Sequence, residues 1–265
     1  MPSADVATVR MTAGTFGKAT SLAAVLDFDG ANPRHFGAPG ATSRPFVVGA
    51  FEGDVRAGAS CNCRAVSLIP HCNGTHTESV AHLTREPFDV YAVAPLAPLP
   101  ALLLDVPPVD AGRSAETTEP APRSGDRLIT ARSIAAAWDS GRTRNRATYT
   151  PLLLVLRTGN DAAPYLSLEA ASLLVERGIE HVVLELPSMD RAEDEGRLTA
   201  HRRFFGLPPG SSSLADASRS QCTITELARV PHTLAPGTCA VQLQLASWTG
   251  DAVPSRPVHF EWTPP

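Results

Sequence analysis

The chain predicts an α/β fold, a single domain in which flanking helices cover a mixed β-sheet. Three stretches in its second half carry that reading. Pro151–Arg157 (PLLLVLR) is a continuous apolar run, as expected of a strand buried on both faces. Ser167 stands where a helix N-cap belongs, ahead of Glu169, Ala170, Ala171, Leu173 and Leu174 at helical spacing, and Gly178 closes that helix. His181–Leu186 (HVVLEL) reads as the next strand, so strand, helix and strand with short connections form a βαβ unit with a parallel pair. Gln221–Thr225 and Ala240–Ala246 then alternate as further strands.

The first half is less regular. Residues 1–45 are rich in Gly, Ala and Pro and read as an irregular segment, which places the domain proper at 46–265. Val47–Phe51 and Val66–Ile69 read as short strands, the second leading straight into Pro70. Val90–Ala94 and Ala101–Val106 are the third and fourth strand candidates. Residues 107–125 hold prolines, Glu-Thr-Thr-Glu and Arg-Ser-Gly, the composition of an exposed loop, and Ala131–Asp139 reads as a short helix.

Composition excludes several function classes. A chain of 265 residues can bury a large core, and a formal net charge of -4 gives no electrostatic case for nucleic acid or an anionic membrane. Tyr91–Val109 is apolar but broken by five prolines, and does not read as a membrane span. Five cysteines cannot all pair within one chain, and no basic segment followed by an apolar run marks the N-terminus, so reduced thiols in the cytoplasm are expected.

The chemistry concentrates between His71 and His82, where HCNGTHTESVAH packs three imidazoles and a carboxylate into twelve residues. Nitrogen and oxygen donors of this kind suit zinc or manganese, and packing alone gives little reason to crowd titratable groups. With a helix beginning near Thr75, Glu78 and His82 stand four apart on one face, while His71 and His76 flank the Gly74-Thr75 turn. The four side chains then converge on one volume. Two blander readings remain open. Thr75-x-x-Glu78 also fits a helix capping box, and Cys61, Cys63 and Cys72 with His71 would make a closed structural zinc site. The Cys-x-Cys spacing is tighter than such sites use.

These residues resemble the cyclase family of metal-dependent hydrolases, which includes bacterial kynurenine formamidase and isatin hydrolase. The family signature is a His, a Gly-Thr-His, an acidic residue two further on and a His four after that. Here it reads His71, Gly74-Thr75-His76, Glu78 and His82, with the first interval one residue longer and Glu in place of the usual Asp. Later motifs follow in the family's order: Arg157-Thr158-Gly159, the helix over 166–178, Pro187-Ser188-Met189-Asp190, Ala200-His201-Arg202, Thr223–Leu227 and Ser255-Arg256-Pro257. The resemblance implies a swivelling β/β/α-like domain holding one or two divalent ions, zinc or manganese. His71, His76, Glu78 and Glu226 would hold the first ion and Glu78, His201 and Glu226 a second, with His82 left free as the proton shuttle. It further implies hydrolysis of a small amide, an aryl formamide such as N-formylkynurenine or a cyclic amide, in a homodimer or homotetramer.

The remaining candidates rank lower. His181, His232 and His259 have no partner at ligand spacing and read as structural, while Asp190 and Arg157 are candidates for orienting ligands. Ser188 lacks the Gly-x-Ser-x-Gly setting of a serine nucleophile, and Gly37–Gly40 lacks the spacing of a dinucleotide loop.

Overall fold

The computed structural model describes residues 13–145, 149–159 and 163–265. The strands in chain order are β1 (Thr15–Ser21), β2 (Thr42–Pro45), β3 (Val47–Val48), β4 (Phe51–Glu52), β5 (Arg64–Ser67), β6 (His76–Glu78), β7 (Leu99–Asp105), β8 (Val109–Asp110) and β9 (Arg127–Ile129). They continue with β10 (Leu153–Arg157), β11 (Tyr165–Leu166), β12 (His181–Leu184), β13 (Thr223–Glu226), β14 (Gly237–Leu245) and β15 (Ala252–Thr263). The α-helices are α1 (Pro70–Asn73), α2 (Val90–Val93), α3 (Ala131–Asn145), α4 (Leu168–Glu176) and α5 (Thr199–Phe205).

One mixed sheet dominates, in the order β1-β15-β14-β7-β10-β12-β13-β6, and it closes on itself because β15 also pairs with β6. Strands β7, β10, β12 and β13 are parallel to one another, and β14, β15 and β6 run antiparallel to their neighbours. The twelve residues of β15 make the closure possible. Ala252–Pro254 pair with β6, Ser255–Phe260 with β14, and the far end with β1.

The apolar runs explain both layers. Leu102, Leu104, Leu154, Leu156, Val182, Leu184 and Ile224 face α3–α5, where they meet Ile134, Trp138, Ala170, Leu174 and Phe204. The alternate residues Ala101, Leu103, Leu153, Val155 and Val183 fill the barrel interior with Leu22, Val241 and Leu243. A strand lined on both faces has no polar side to alternate, hence its unbroken hydrophobicity. The expected βαβ unit is β10–α4–β12: the Ser167 hydroxyl caps α4 by accepting from Ala170 N at 2.9 Å. Gly178, at φ 71°, follows its C-terminus.

Several expectations need correction. The irregular N-terminal segment contributes β1, an edge strand of the main sheet, and β2. Val47–Phe51 is not one strand but the hairpin β3–β4, turning at Gly49 with φ 57°. Val90–Ala94 forms the helical turn α2: Val90 N donates to Gly250 O and Ala94 N to Val90 O, both at 3.0 Å, so its amides never face a strand. The loop over 107–125 carries β8, which joins β9 and β11 in a small separate sheet. The helix expected from Thr75 is absent; His76–Glu78 is a strand.

Candidate metal centre

That last difference builds the site. In β6, His76 and Glu78 are two apart and therefore share a face, while Thr77 points the other way. Across the ladder Glu226 of β13 stands opposite His76, and Ile224 opposite Glu78. The pleat thus sets one imidazole and two carboxylates on the helix-facing side. Behind them Thr77 and Thr225 join hydroxyls at 2.8 Å, which locks the register. His71 arrives from α1 and His201 from α5, whose first turn lies over the same spot.

The distances close the cluster. Glu78 Oε2 lies 3.0 Å from His71 Nδ1 and 4.0 Å from His76 Nε2, and Glu78 Oε1 lies 3.1 Å from His201 Nε2. Glu226 Oε2 is 3.7 Å from His76 Nε2, and its Oε1 is 3.4 Å from His201 Nε2. His76 and Glu78 are fully buried, His201 and Glu226 nearly so, and His71 lies partly open at the rim. His82, in a 3-10 turn over Val80–His82, also sits at the rim, its ring 4.2 Å from that of His71 and 5.9 Å from that of His201.

Each inner imidazole has one nitrogen turned outward to an oxygen acceptor. His76 Nδ1 faces Gly74 O at 3.0 Å, His201 Nδ1 faces Asp190 Oδ2 at 2.6 Å, and His71 Nε2 faces Asp251 Oδ2 at 2.9 Å. The other nitrogen of each points at the Glu78–Glu226 carboxylates. Such an outer oxygen fixes which nitrogen keeps its lone pair, an arrangement typical of metal-binding histidines. Asp190 also caps α5, accepting from Ala200 N at 2.8 Å and His201 N at 3.0 Å. Glu226 is steadied by Met189 N at 2.7 Å.

Histidines and carboxylates inside the cluster set one another's charge. Burial alone would raise Glu78, yet His82, His201 and His71 hold it well below the usual carboxylate range. Burial opposes protonation of His71 and His201. Asp251 and Glu78 nevertheless raise His71 to about 10, and Glu78, Asp190 and Glu226 raise His201 well above its ordinary value. Burial lowers His76. Among the described residues, the ion-pair partners of Glu78 and Glu226 are all histidines. In the absence of an ion the two buried carboxylates depend on those imidazoles for positive charge, and His76 Nε2 and both Glu78 oxygens lack a well-aligned hydrogen bond. A divalent cation fits that gap. His71, His76 and Glu78 form one group whose ligand atoms converge, and Glu78, His201 and Glu226 form another.

All six sequence candidates therefore meet: His71, His76, Glu78, His201 and Glu226 in the cluster, and His82 at its edge. Asp251 was missed. It lies in the bend at Gly250, 169 residues beyond His82, outside the motifs read from the sequence, so only the sheet closure reveals it. A cysteine site does not form: Cys61 and Cys63 are exposed, and none of the convergent groups among the described residues includes a cysteine. Arg157 is not a ligand-orienting group. Its guanidinium pairs with Asp105 and donates to Pro231 O at 2.7 Å and Leu234 O at 2.9 Å. His181 is structural as expected, its Nδ1 2.9 Å from Thr223 Oγ1.

A closed mixed barrel with helices on one side and a buried His–carboxylate cluster at its seam defines the class of protein. The chain belongs to the family described as Putative cyclase, whose match covers residues 16–191. That span contains the His71–His82 loop and ends before His201, Glu226 and Asp251. No curated protein sequence matches. Among solved structures, an isatin hydrolase bound to the product analogue thioisatinate is similar at TM-score 0.61 and 15% identity, covering 93% of each chain. Isatin hydrolase A from Ralstonia solanacearum is similar at TM-score 0.60 and 16% identity, with 92% of this chain and 91% of that one covered. A predicted metal-dependent hydrolase from Bacillus stearothermophilus is similar at TM-score 0.56 and 14% identity, covering 92% and 98%. At these identities the likeness is one of fold. No helix among the described residues is long and apolar enough to cross a membrane.

Proposed function

We propose that the chain is a metal-dependent hydrolase that opens a carbon–nitrogen bond in a small amide. The observation that carries this reading is the convergence of inward nitrogens from His71, His76 and His201 on Glu78 and Glu226, each outward nitrogen already engaged. His71, His76, Glu78 and Glu226 would hold one ion, and Glu78, His201 and Glu226 a second, the two carboxylates being shared. A donor set of nitrogen and oxygen without thiolate suits zinc or manganese. A divalent ion there supplies Lewis acidity, making water a better nucleophile at neutral pH and drawing electron density from a carbonyl.

The protein's own groups do the rest. Glu78 and Glu226 neutralise the cation in a dry setting, and Asp190, Gly74 and Met189 hold the ligands in register. His82 lies beside the cluster at its open side, placed to take the proton of the attacking water and return it to the departing nitrogen. Two substrate classes are compatible: an aryl formamide such as N-formylkynurenine, which the family resemblance implies, and a cyclic amide, in line with the isatin hydrolases of similar fold. The five free cysteines support a cytoplasmic setting.

We also place the protein in a homo-oligomer. The arm formed by β2–β5 exposes Phe46, Val47, Val48, Val55 and Val66, apolar surface of the kind that a second copy covers. Analytical ultracentrifugation showing only monomer at micromolar concentration contradicts this.

The deciding experiment loads the purified protein with zinc or manganese and assays a panel of aryl formamides and lactams. Saturable turnover that disappears with chelator is expected. A protein that binds metal and panel compounds but hydrolyses none would be a ligand-binding family member instead. Sulfur among the ligand atoms by X-ray absorption would overturn the site itself.

A further inference from the structure

We propose that Asp251 is a positioning residue that ties the proton-handling His82 to the metal ligand His71 through one carboxylate oxygen; this rests on the reading of His82 above. Asp251 Oδ2 lies 2.9 Å from His71 Nε2 and 3.4 Å from His82 Nδ1. The two rings make a tilted stack, centroids 4.2 Å apart and planes inclined by 33°. A carboxylate oxygen has two lone pairs, so Oδ2 accepts from both imidazoles together.

That arrangement selects tautomers. His71 keeps its proton on Nε2, which would leave Nδ1, 3.0 Å from Glu78 Oε2, to ligate an ion bound between them. His82 keeps its proton on Nδ1 and leaves Nε2 as the free base. A proton taken from water then arrives at Nε2, the resulting imidazolium is stabilised by Asp251 through Nδ1–H, and the same Nε2 proton passes to the leaving nitrogen. The carboxylate gains no proton. This is the logic by which a buried aspartate orients a catalytic histidine in hydrolytic triads.

The backbone supports the geometry. Ser79 N donates to Asp251 O at 2.9 Å, and the Ser79 hydroxyl accepts from Ala81 N at 3.3 Å, starting the turn that carries His82. Gly250 N donates to Asp89 Oδ1 at 2.9 Å and Gly250 O accepts from Val90 N at 3.0 Å. The Asp251 turn and the His82 turn therefore share one frame. The Asp251 side chain is 43% exposed, so it is not held there by burial.

The test compares the zinc-loaded protein with Asp251→Asn, Asp251→Glu and His82→Ala, and with the His82→Ala/Asp251→Asn pair. Asp251→Asn is expected to lower kcat about 10- to 100-fold with KM within about threefold, Asp251→Glu to recover part of it, and Asp251→Asn to add less than about twofold on top of His82→Ala. Independently of turnover, 15N NMR should show His82 as the Nδ1–H tautomer in the unaltered chain and as a mixture in Asp251→Asn. The proposal is overturned by an unchanged His82 tautomer. It is equally overturned if Asp251→Asn removes an ion at saturating zinc, which would make Asp251 a ligand. If the unaltered chain hydrolyses none of the panel, the hydrolase reading fails, while the tautomer measurement still decides what Asp251 does.

Discussion

His76, in β6, and His82, in the 3-10 turn that follows, are six residues apart, and their removal should have different consequences. His76 is fully buried with Nε2 turned into the cluster and Nδ1 held by Gly74 O, so nothing else can take its place. His76→Ala is expected to lose both bound metal and turnover. His82 sits at the rim with 27% of its side chain exposed, so His82→Ala should keep its metal and lose roughly 10²- to 10⁴-fold in rate, as removal of a general acid–base does. Metal per chain by mass spectrometry, beside initial rates, checks both; a wild-type rate in His82→Ala refutes the assigned role. His181 makes a prediction about pH. Burial, with Arg219 nearby, lowers its pKa from 6.5 to about 4 while Thr223 binds Nδ1. The unfolded chain therefore binds the extra proton first as pH falls, and stability present above pH 6.5 drains away between there and about 4. The loss is about 3 kcal/mol at about 1.4 kcal/mol per pKa unit. Urea titrations at pH 7 and 4.5 should show a flatter acid limb for His181→Asn than for the unaltered chain, and parallel limbs would contradict the assignment.

At the scale of elements, α5 exists in its position largely because of Asp190. A helix of seven residues whose N-cap, Leu198, offers no side-chain bond relies on Asp190 to satisfy the amides of Ala200 and His201. The same carboxylate holds His201 Nδ1. Asp190→Ala should therefore cost about 1–2 kcal/mol of stability and weaken metal binding about 10- to 100-fold, measured by thermal unfolding and by zinc titration. A loss of stability with unchanged zinc affinity would reduce Asp190 to a cap. The same dual use shows why the sequence was only partly legible. The βαβ unit could be read directly, because runs such as PLLLVLR and the Ser167 cap act locally. The segment His76–Glu78 could not, since three residues fit a helix start as well as a strand, and β6 exists only through pairing with β13 and β15. Glu78 and His82 therefore converge by a strand followed by a 3-10 turn, not by helical spacing. Residues with a family motif around them were found; Asp251 has none and enters the site only when β15 closes the barrel.

At the scale of the whole molecule, the cluster sits where distant parts of the chain meet. His76 and Glu78 lie on the strand between β13 and β15 that seals the ring, Glu226 on β13, and His201 on a helix packed over the seam. His71, His76, Glu78, His201 and Glu226 would hold an ion there from α1, β6, α5 and β13, and so it should stabilise the fold and not only the chemistry. Ligand that binds the native state alone adds about 2.7 kcal/mol at a free concentration 100 times its Kd. For a domain of this size each kcal/mol moves Tm by about 2–4 °C, which gives a rise on the order of 5–10 °C over the chelated protein. Calorimetry with zinc and with chelator measures it. Glu78→Gln keeps the side-chain volume but removes the shared charge. It should unfold at the same temperature with and without zinc, and because it loses the ion pairs to His71 and His201 it should also be less stable than the chelated parent. An unaltered chain whose Tm ignores zinc, or a Glu78→Gln protein that still gains the full shift, would show that the ion binds somewhere other than this seam.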